Sequence, residues 1–191
     1  MNEHTTSEHT TGDHFNAFEI SPVPTPGPDA VAPEPFRGIY GMPAFVRVPS
    51  TDLAASTVFW TRGLGFIELF SVPGTLVHLR RWAFQDVLLV AADEIPTEAP
   101  ALSVNFACVL DQIEPVARAC RALLPDSVAG PRDTAWNTRD IEVITPEHTR
   151  VVFTAARPFD PASQEAQNLA AIGIRPPGDD DGTRARGRSA R

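Results

Sequence analysis

The sequence contains no lysine: all 16 basic residues are arginine, which reflects codon usage rather than chemistry. Cysteine is scarce too, with only Cys108 and Cys120 in 191 residues. Two thiols cannot build the disulfide framework of a small secreted domain, and no histidine stands at the spacing that would complete a zinc site. Cys108 falls in an apolar run and Cys120 at a helix-face spacing, so both read as small core residues. No apolar run is long enough to cross a bilayer. The N-terminus has acids and histidines where a secretory leader needs a basic and then an apolar stretch. A soluble, cytoplasmic protein is the expectation. An excess of positive charge is also missing. The formal net charge of −8 argues against nucleic acid as a partner, because phosphate-backbone binding is carried by cations.

The acidity is unevenly spread. Up to Gly38, Glu3, Glu8, Asp13, Glu19, Asp29 and Glu34 face Arg37 alone, whereas from Pro158 onward five acids balance five arginines. The middle of the chain is left near −3, so a negatively charged site there is not implied. Residues 1–36 are rich in His, Thr, Glu and Pro, and the run PVPTPGPDAVAPEP suits neither helix nor central strand. They read as a disordered arm. His4, His9 and His14 lie in it, but a chelate made by a flexible tail costs much ordering entropy, so they read as solvated. Residues 158–191 read as a second disordered tail, with a short helix possible near 164–172.

Between the tails, periodicity organises the chain. PAFVRV is a strand. Ser50, Thr51 or Asp52 can cap a helix whose apolar positions Leu53, Val58, Phe59 and Leu64 share a face, ended by Gly63 or Gly65. FIELFSV, TLVHLRRW and DVLLVAA follow as strands, separated by Pro73-Gly74 and by residues 83–85. After the linker DEIPTEAPA the order restarts. LSVNFACVL is a strand, and Asp111 with Glu114 forms a capping box for a helix that buries Val116, Ala117, Cys120, Leu123 and Leu124. A short strand near 127–130 precedes WNTRDIEVI and TRVVFTA, joined by the turn TPEH. Strand, helix and three strands therefore occur twice. The pattern predicts an α+β fold of two βαβββ repeats, about 43–93 and 101–156 within a body of 37–157, whose mixed sheets curl around a cleft.

The local sequence narrows the family. VPSTDLAASTVFWTRGLGF resembles the first strand-to-helix segment of the glyoxalase/bleomycin-resistance (vicinal oxygen chelate) superfamily. Val48-Pro49 with Asp52, Phe59-Trp60, and Leu64-Gly65-Phe66 carry the likeness. WNTRDIEVITPEHTRVVFTA is similar to the family's closing hairpin, and the resemblance spans about 40–156. One departure is Thr145-Pro146-Glu147-His148, where the family usually has Asp-Pro-x-Gly. His148 stands where glycine would supply a positive φ, which predicts another turn type.

Metal-dependent members of that family gather His, Glu or Gln from inward strand positions of both halves around one divalent ion, because their chemistry needs a Lewis acid with an open position. Here the corresponding positions offer Pro43, Phe45 and Val46; Asp86, Val87 and Leu88; Ser103, Val104 and Asn105; and Val151, Val152 and Phe153. No ligand set emerges, so the expectation is a protein with neither metal nor cofactor.

The resemblance then points to bleomycin-resistance-like members, which bind a small molecule without transforming it. Trp136 matches the tryptophan that stacks on the drug's planar rings in such proteins. Phe70, Trp82, Phe45 and Phe106 are further aromatic candidates. Asn105, Asn137, His78 and Arg139 can hydrogen-bond a ligand, which would be a small, heteroaromatic molecule. Phe59 and Trp60 sit at core spacing. Arg80-Arg81 reads as a solvated strand edge. The family implies a homodimer with clefts between protomers. The alternative is an enzyme of the same superfamily, either metal-dependent through a noncanonical site or a metal-free isomerase or lyase in which His78 and Asp86 act as an acid–base pair.

Overall fold

The computed structural model describes residues 29–38 and 44–173. Asp52 begins the first helix: its Oδ1 accepts from the N–H groups of Ala54 and Ala55, both at 3.0 Å, satisfying two donors the helix leaves open. Helix α1 (Leu53–Val58) runs into a single π-helical turn, Phe59–Gly63. Gly65, at φ 76°, ends it, and Phe66 N–H donates back to the Trp60 carbonyl at 3.1 Å. The wider turn carries an extra residue and rotates the apolar stripe. Trp60 is completely buried, whereas Val58, expected on the buried face, is 40% exposed.

Strands β1 (Phe45–Ser50), β2 (Ile67–Val72), β3 (Leu76–Arg80) and β4 (Asp86–Ala91) form one sheet in the order β1-β4-β3-β2, with β1 parallel to β4. Strands β5 (Ser103–Cys108), β6 (Val128–Asp133), β7 (Thr138–Ile144) and β8 (Arg150–Ala156) repeat that topology as β5-β8-β7-β6. The repeat of strand, helix and three strands is thus real in three dimensions. The two sheets remain separate and do not close on each other.

Helix α2 (Leu110–Leu123) departs from its expected cap. Val109 occupies the N-cap without a side-chain bond, and Asp111 lies in the first turn. There its charge complements the helix dipole instead of capping. The buried residues are Ile113, Ala117 and Cys120, while Leu123 is 41% exposed. The real start at Leu110 brings Ile113 onto the inner face. His148 does take a positive φ, 57°. The β7–β8 turn is closed by Thr145 N–H on the Thr149 carbonyl and His148 N–H on the Thr145 carbonyl, at 3.0 and 2.9 Å, so histidine accepts the conformation that glycine would have supplied.

The inner faces of both sheets share one core. Edge-to-face contacts run from Trp60 to Phe66 and from Phe66 to Phe106, each with centroids 5.2 Å apart, and Phe106 continues to Phe153 at 6.0 Å. Cys108 and Cys120 are buried free thiols.

Part of the expected N-terminal arm lies against the body. Ala30 and Ala32 pack on the core, and the carbonyls of Phe36 and Gly38 accept from Arg80 Nη1 at 2.8 and 2.6 Å. Residues 1–28 lie outside the described residues, as do 174–191 of the expected second tail. Helix α3 (Gln164–Ala171) stands where a short helix was expected, capped by Ser163 Oγ accepting from Ala166 N–H at 3.1 Å.

Candidate functional site

Alternation along the first sheet sends Val48, Val77, Leu79, Val87 and Leu89 into the core. The intervening residues form the opposite, outer face. Register places Arg47, Leu88, His78 and Phe70 side by side across β1, β4, β3 and β2. The adjacent row holds Phe45, Asp86 and Arg80. At its centre, Asp86 Oδ1 accepts from Arg80 Nε at 2.6 Å and lies 3.0 Å from His78 Nε2. Asp86 Oδ2 is buried with no hydrogen-bond partner among the described residues. The His78 ring meets Phe70 edge-to-face at 5.1 Å. Phe45 and Phe70 are each about half-exposed, at 50% and 46%.

Three of the expected ligand-binding residues, Phe45, Phe70 and His78, are therefore brought onto one face. Chemically, the pair with Asp86 fixes the imidazole orientation, and a protonated Nε2 leaves Nδ1 as the free acceptor. Arg80 supplies the opposite charge to the same carboxylate.

The remaining candidates are dispersed. Asn105 is exposed on β5, accepting from Ser103 Oγ at 3.0 Å. Trp136 is 56% exposed in the β6–β7 loop. Asn137 adopts φ 60° in that loop, and its Nδ2 donates to the Arg157 carbonyl at 2.9 Å. It is committed to holding the turn against the end of β8. Arg139 is exposed, 3.8 Å from Asp133, on the side of β7 that carries Ile141 and away from Glu142. Among the described residues, no hydrogen bond or ring contact ties Asn105 or Trp136 to the first sheet.

Trp82 lies apart from the outer face, and the two arginines need correction. Trp82 is 3% exposed and belongs to the core, because the β3–β4 connection folds inward. Arg80 and Arg81 are buried, at 1% and 3%. Strand alternation sends them to opposite sides, Arg80 to Asp86 and Arg81 to the inner face. Neither is the solvated edge the sequence suggested. Periodicity alone could not reveal their partners, which are Asp86 and Gln85 nearby and Phe36, Gly38, Ala107 and Gln112 from distant segments.

Among the described residues a divalent metal finds no fitting donor set. The outer-face positions of β1, β4, β5 and β8 include Phe45, Asp86, Asn105 and Val152, a single carboxylate already held by Arg80. Among the described residues no group of three or more His, Cys, Asp or Glu side chains is placed to hold a metal ion.

Solved structures resemble this arrangement. The fosfomycin resistance protein FosX from Listeria monocytogenes superposes with a TM-score of 0.51 at 15% identity, covering 63% of this chain and 97% of that one. FosX from Mesorhizobium loti gives 0.50 at 13% identity, covering 63% and 96%. The chain has the vicinal oxygen chelate fold. A bleomycin resistance determinant encoded on the transposon Tn5 superposes more loosely, with a TM-score of 0.45 at 20% identity over 59% and 96%. No family model matches this sequence, and neither does any curated protein. At such identities the likeness extends to the fold, and function has to be argued from the site.

Proposed function

We propose that this vicinal oxygen chelate-fold protein is a metal-free binding protein of the bleomycin-resistance type that sequesters a small heteroaromatic molecule, an antibiotic or related metabolite. The observation carrying this reading is the outer face of the first sheet, where half-exposed Phe45 and Phe70 flank the buried His78–Asp86 pair. Large aromatics left open beside an oriented polar group suit a planar ligand, the rings stacking and the imidazole fixing orientation. The absence of a fitting donor set among the described residues favours binding over metal chemistry. Trp136, exposed in its loop, is a third stacking residue in this reading, contributed across a homodimer. Among the described residues no helix is long and apolar enough to cross a membrane, in keeping with a cytoplasmic binding protein.

A second reading rests on the 3.0 Å contact of His78 with Asp86. An oriented imidazole can act as a general base, so the same face would serve a metal-free isomerase or lyase.

A thermal-shift screen against heteroaromatic antibiotics, bleomycin included, with and without chelator, tests the first reading. A ligand that binds only the folded state must raise the melting temperature. A shift unaffected by chelator, with the ligand recovered unchanged, supports sequestration. Recovery of a chemically altered ligand moves the assignment to the second reading. A shift with a divalent metal alone overturns both.

A further inference from the structure

Arg81 is a buried cation whose hydrogen-bond acceptors are all neutral. Nη1 donates to the Ala107 carbonyl at 2.7 Å and to Gln85 Oε1 at 3.3 Å, and Nη2 donates to Gln112 Oε1. The Trp82 and Phe153 rings stand 4.7 and 4.8 Å from its Cζ. No described carboxylate lies within ion-pair distance of it. Burial lowers its pKa to about 10, which leaves it charged at neutral pH. A desolvated charge is costly unless an opposite charge or a full set of hydrogen bonds compensates it.

The set of hydrogen bonds is incomplete. A guanidinium has five N–H groups, and three are used. Nε–H and the second Nη2–H have no acceptor among the described residues. A guanidinium carries Nε–H and one Nη2–H side by side along one edge, the geometry that receives two oxygens of an oxyanion.

A cavity of about 240 Å³ lies at that place. Its wall includes Arg81, Trp82, Gln112, Gly65 and residues 32–35 of the N-terminal segment. A Cβ built on Gly65 would have Arg81 Nε as its nearest neighbour, 4.0 Å away. Glycine at this position therefore leaves the Nε side of the guanidinium uncovered. Glu34 also lines the cavity but makes no ion pair with Arg81.

We propose that this cavity binds a compact oxyanion, a small carboxylate or phosphate, through the Nε and Nη2 edge of Arg81. The site is separate from the outer face that carries His78, because Arg81 points to the inner side of the first sheet. Neither proposal depends on the other. Trp82 forms a wall of this cavity, and Gln112 holds the guanidinium from the first turn of α2. Glu34 sets a negative charge at the wall, which weakens binding of an anion.

The test is a titration of the full chain with sodium acetate, sodium phosphate or sodium chloride at constant ionic strength, followed through the arginine Nε–H resonances. The expected result is saturable movement of one resonance with acetate or phosphate, absent from the spectrum of Arg81→Lys and not produced by chloride. The comparison of the two oxyanions identifies which chemistry the cavity takes. Because Arg81→Lys disturbs a buried position, Gln112→Glu provides a second reading. It sets a carboxylate of the chain's own beside the guanidinium and should weaken oxyanion binding at least tenfold while the circular dichroism spectrum is retained. Glu34→Gln should tighten binding several-fold. No saturable movement with either oxyanion, an equal response to chloride, or unchanged affinity in a folded Gln112→Glu protein would each overturn the proposal.

Discussion

Trp60 and Glu147, 87 positions apart, are joined by a buried hydrogen bond: the indole Nε1 donates to Glu147 Oε2 at 3.1 Å. This bond ties the π-helical turn of the first half to the closing turn of the second. Among the described residues Glu147 Oε1 is buried without a partner, so the indole is the one donor the carboxylate receives from them. Trp60→Phe should destabilise the protein by about 1–3 kcal/mol, the usual cost of stranding a buried polar group, with a further loss from the smaller ring. Glu147→Gln keeps an acceptor for the indole and should cost less than Glu147→Ala. Urea unfolding of the three variants measures the order, and an equal loss in all three would remove the bond from the account.

The Asp86–Arg80 pair is the second prediction. Their side chains are 0% and 1% exposed and 2.6 Å apart. Removing one member of a buried pair costs about 3–5 kcal/mol, so Asp86→Ala should show a loss of that order in urea. Arg80 also holds the Phe36 and Gly38 carbonyls. Hydrogen exchange of residues 36–38 should therefore quicken more than that of β8. Uniform acceleration along the chain would mean the segment is held by something else.

The thiols supply a pH prediction. Burial pushes Cys108 and Cys120 each from 9.0 to about 12, since a thiolate is disfavoured in an apolar interior. Between these values the unfolded chain releases protons that the folded chain keeps, so stability falls as pH rises from about 9 towards 12. Below pH 9 the two thiols contribute no slope. Native protein at pH 8 should resist thiol alkylation, and urea should expose both cysteines. Reaction of the native protein at the rate of the unfolded chain would contradict their burial.

The proposed ligand face yields the last prediction. Phe70 and Trp136 are 46% and 56% exposed, so either alanine variant should change stability by no more than about 0.5 kcal/mol. Loss of a stacking ring is worth about 0.5–1.5 kcal/mol, a weakening of ligand affinity by roughly two- to tenfold. Isothermal titration with whichever compound gives a thermal shift checks this. Unchanged affinity in both variants would place the ligand elsewhere.

Much of the fold was legible because it rests on local patterns. Apolar runs in VVFTA and DVLLVAA mark β8 and β4, and a helix capped at Ser50, Thr51 or Asp52 and ended at Gly63 or Gly65 follows from backbone groups that any helix must satisfy. The doubled order of strand, helix and three strands could be read from the spacing of those signals. The site was less legible. Phe45, Phe70 and His78 were identified as candidates, but their shared face depends on the pairing of β1 through β4 and β3 to β2, including the irregularity between Glu68 and Phe70. Glu147 gave no signal, because an acid in a turn ordinarily faces water.

The sequence alone determined which segments became strands and helices, since period, caps and turn residues act over a few positions. It also determined that residues 1–38 are acidic and proline-rich. Only the tertiary structure decided the fate of the charges. Adjacent Arg80 and Arg81 look equivalent in the chain, yet one meets Asp86 and the other neutral carbonyls, amides and two aromatic rings. The physical reason is that strand geometry turns neighbours to opposite faces, while the partners that make burial of a charge tolerable are assembled by the fold: Asp86 from the neighbouring strand, and Phe36, Gly38, Ala107 and Gln112 from segments far away in sequence.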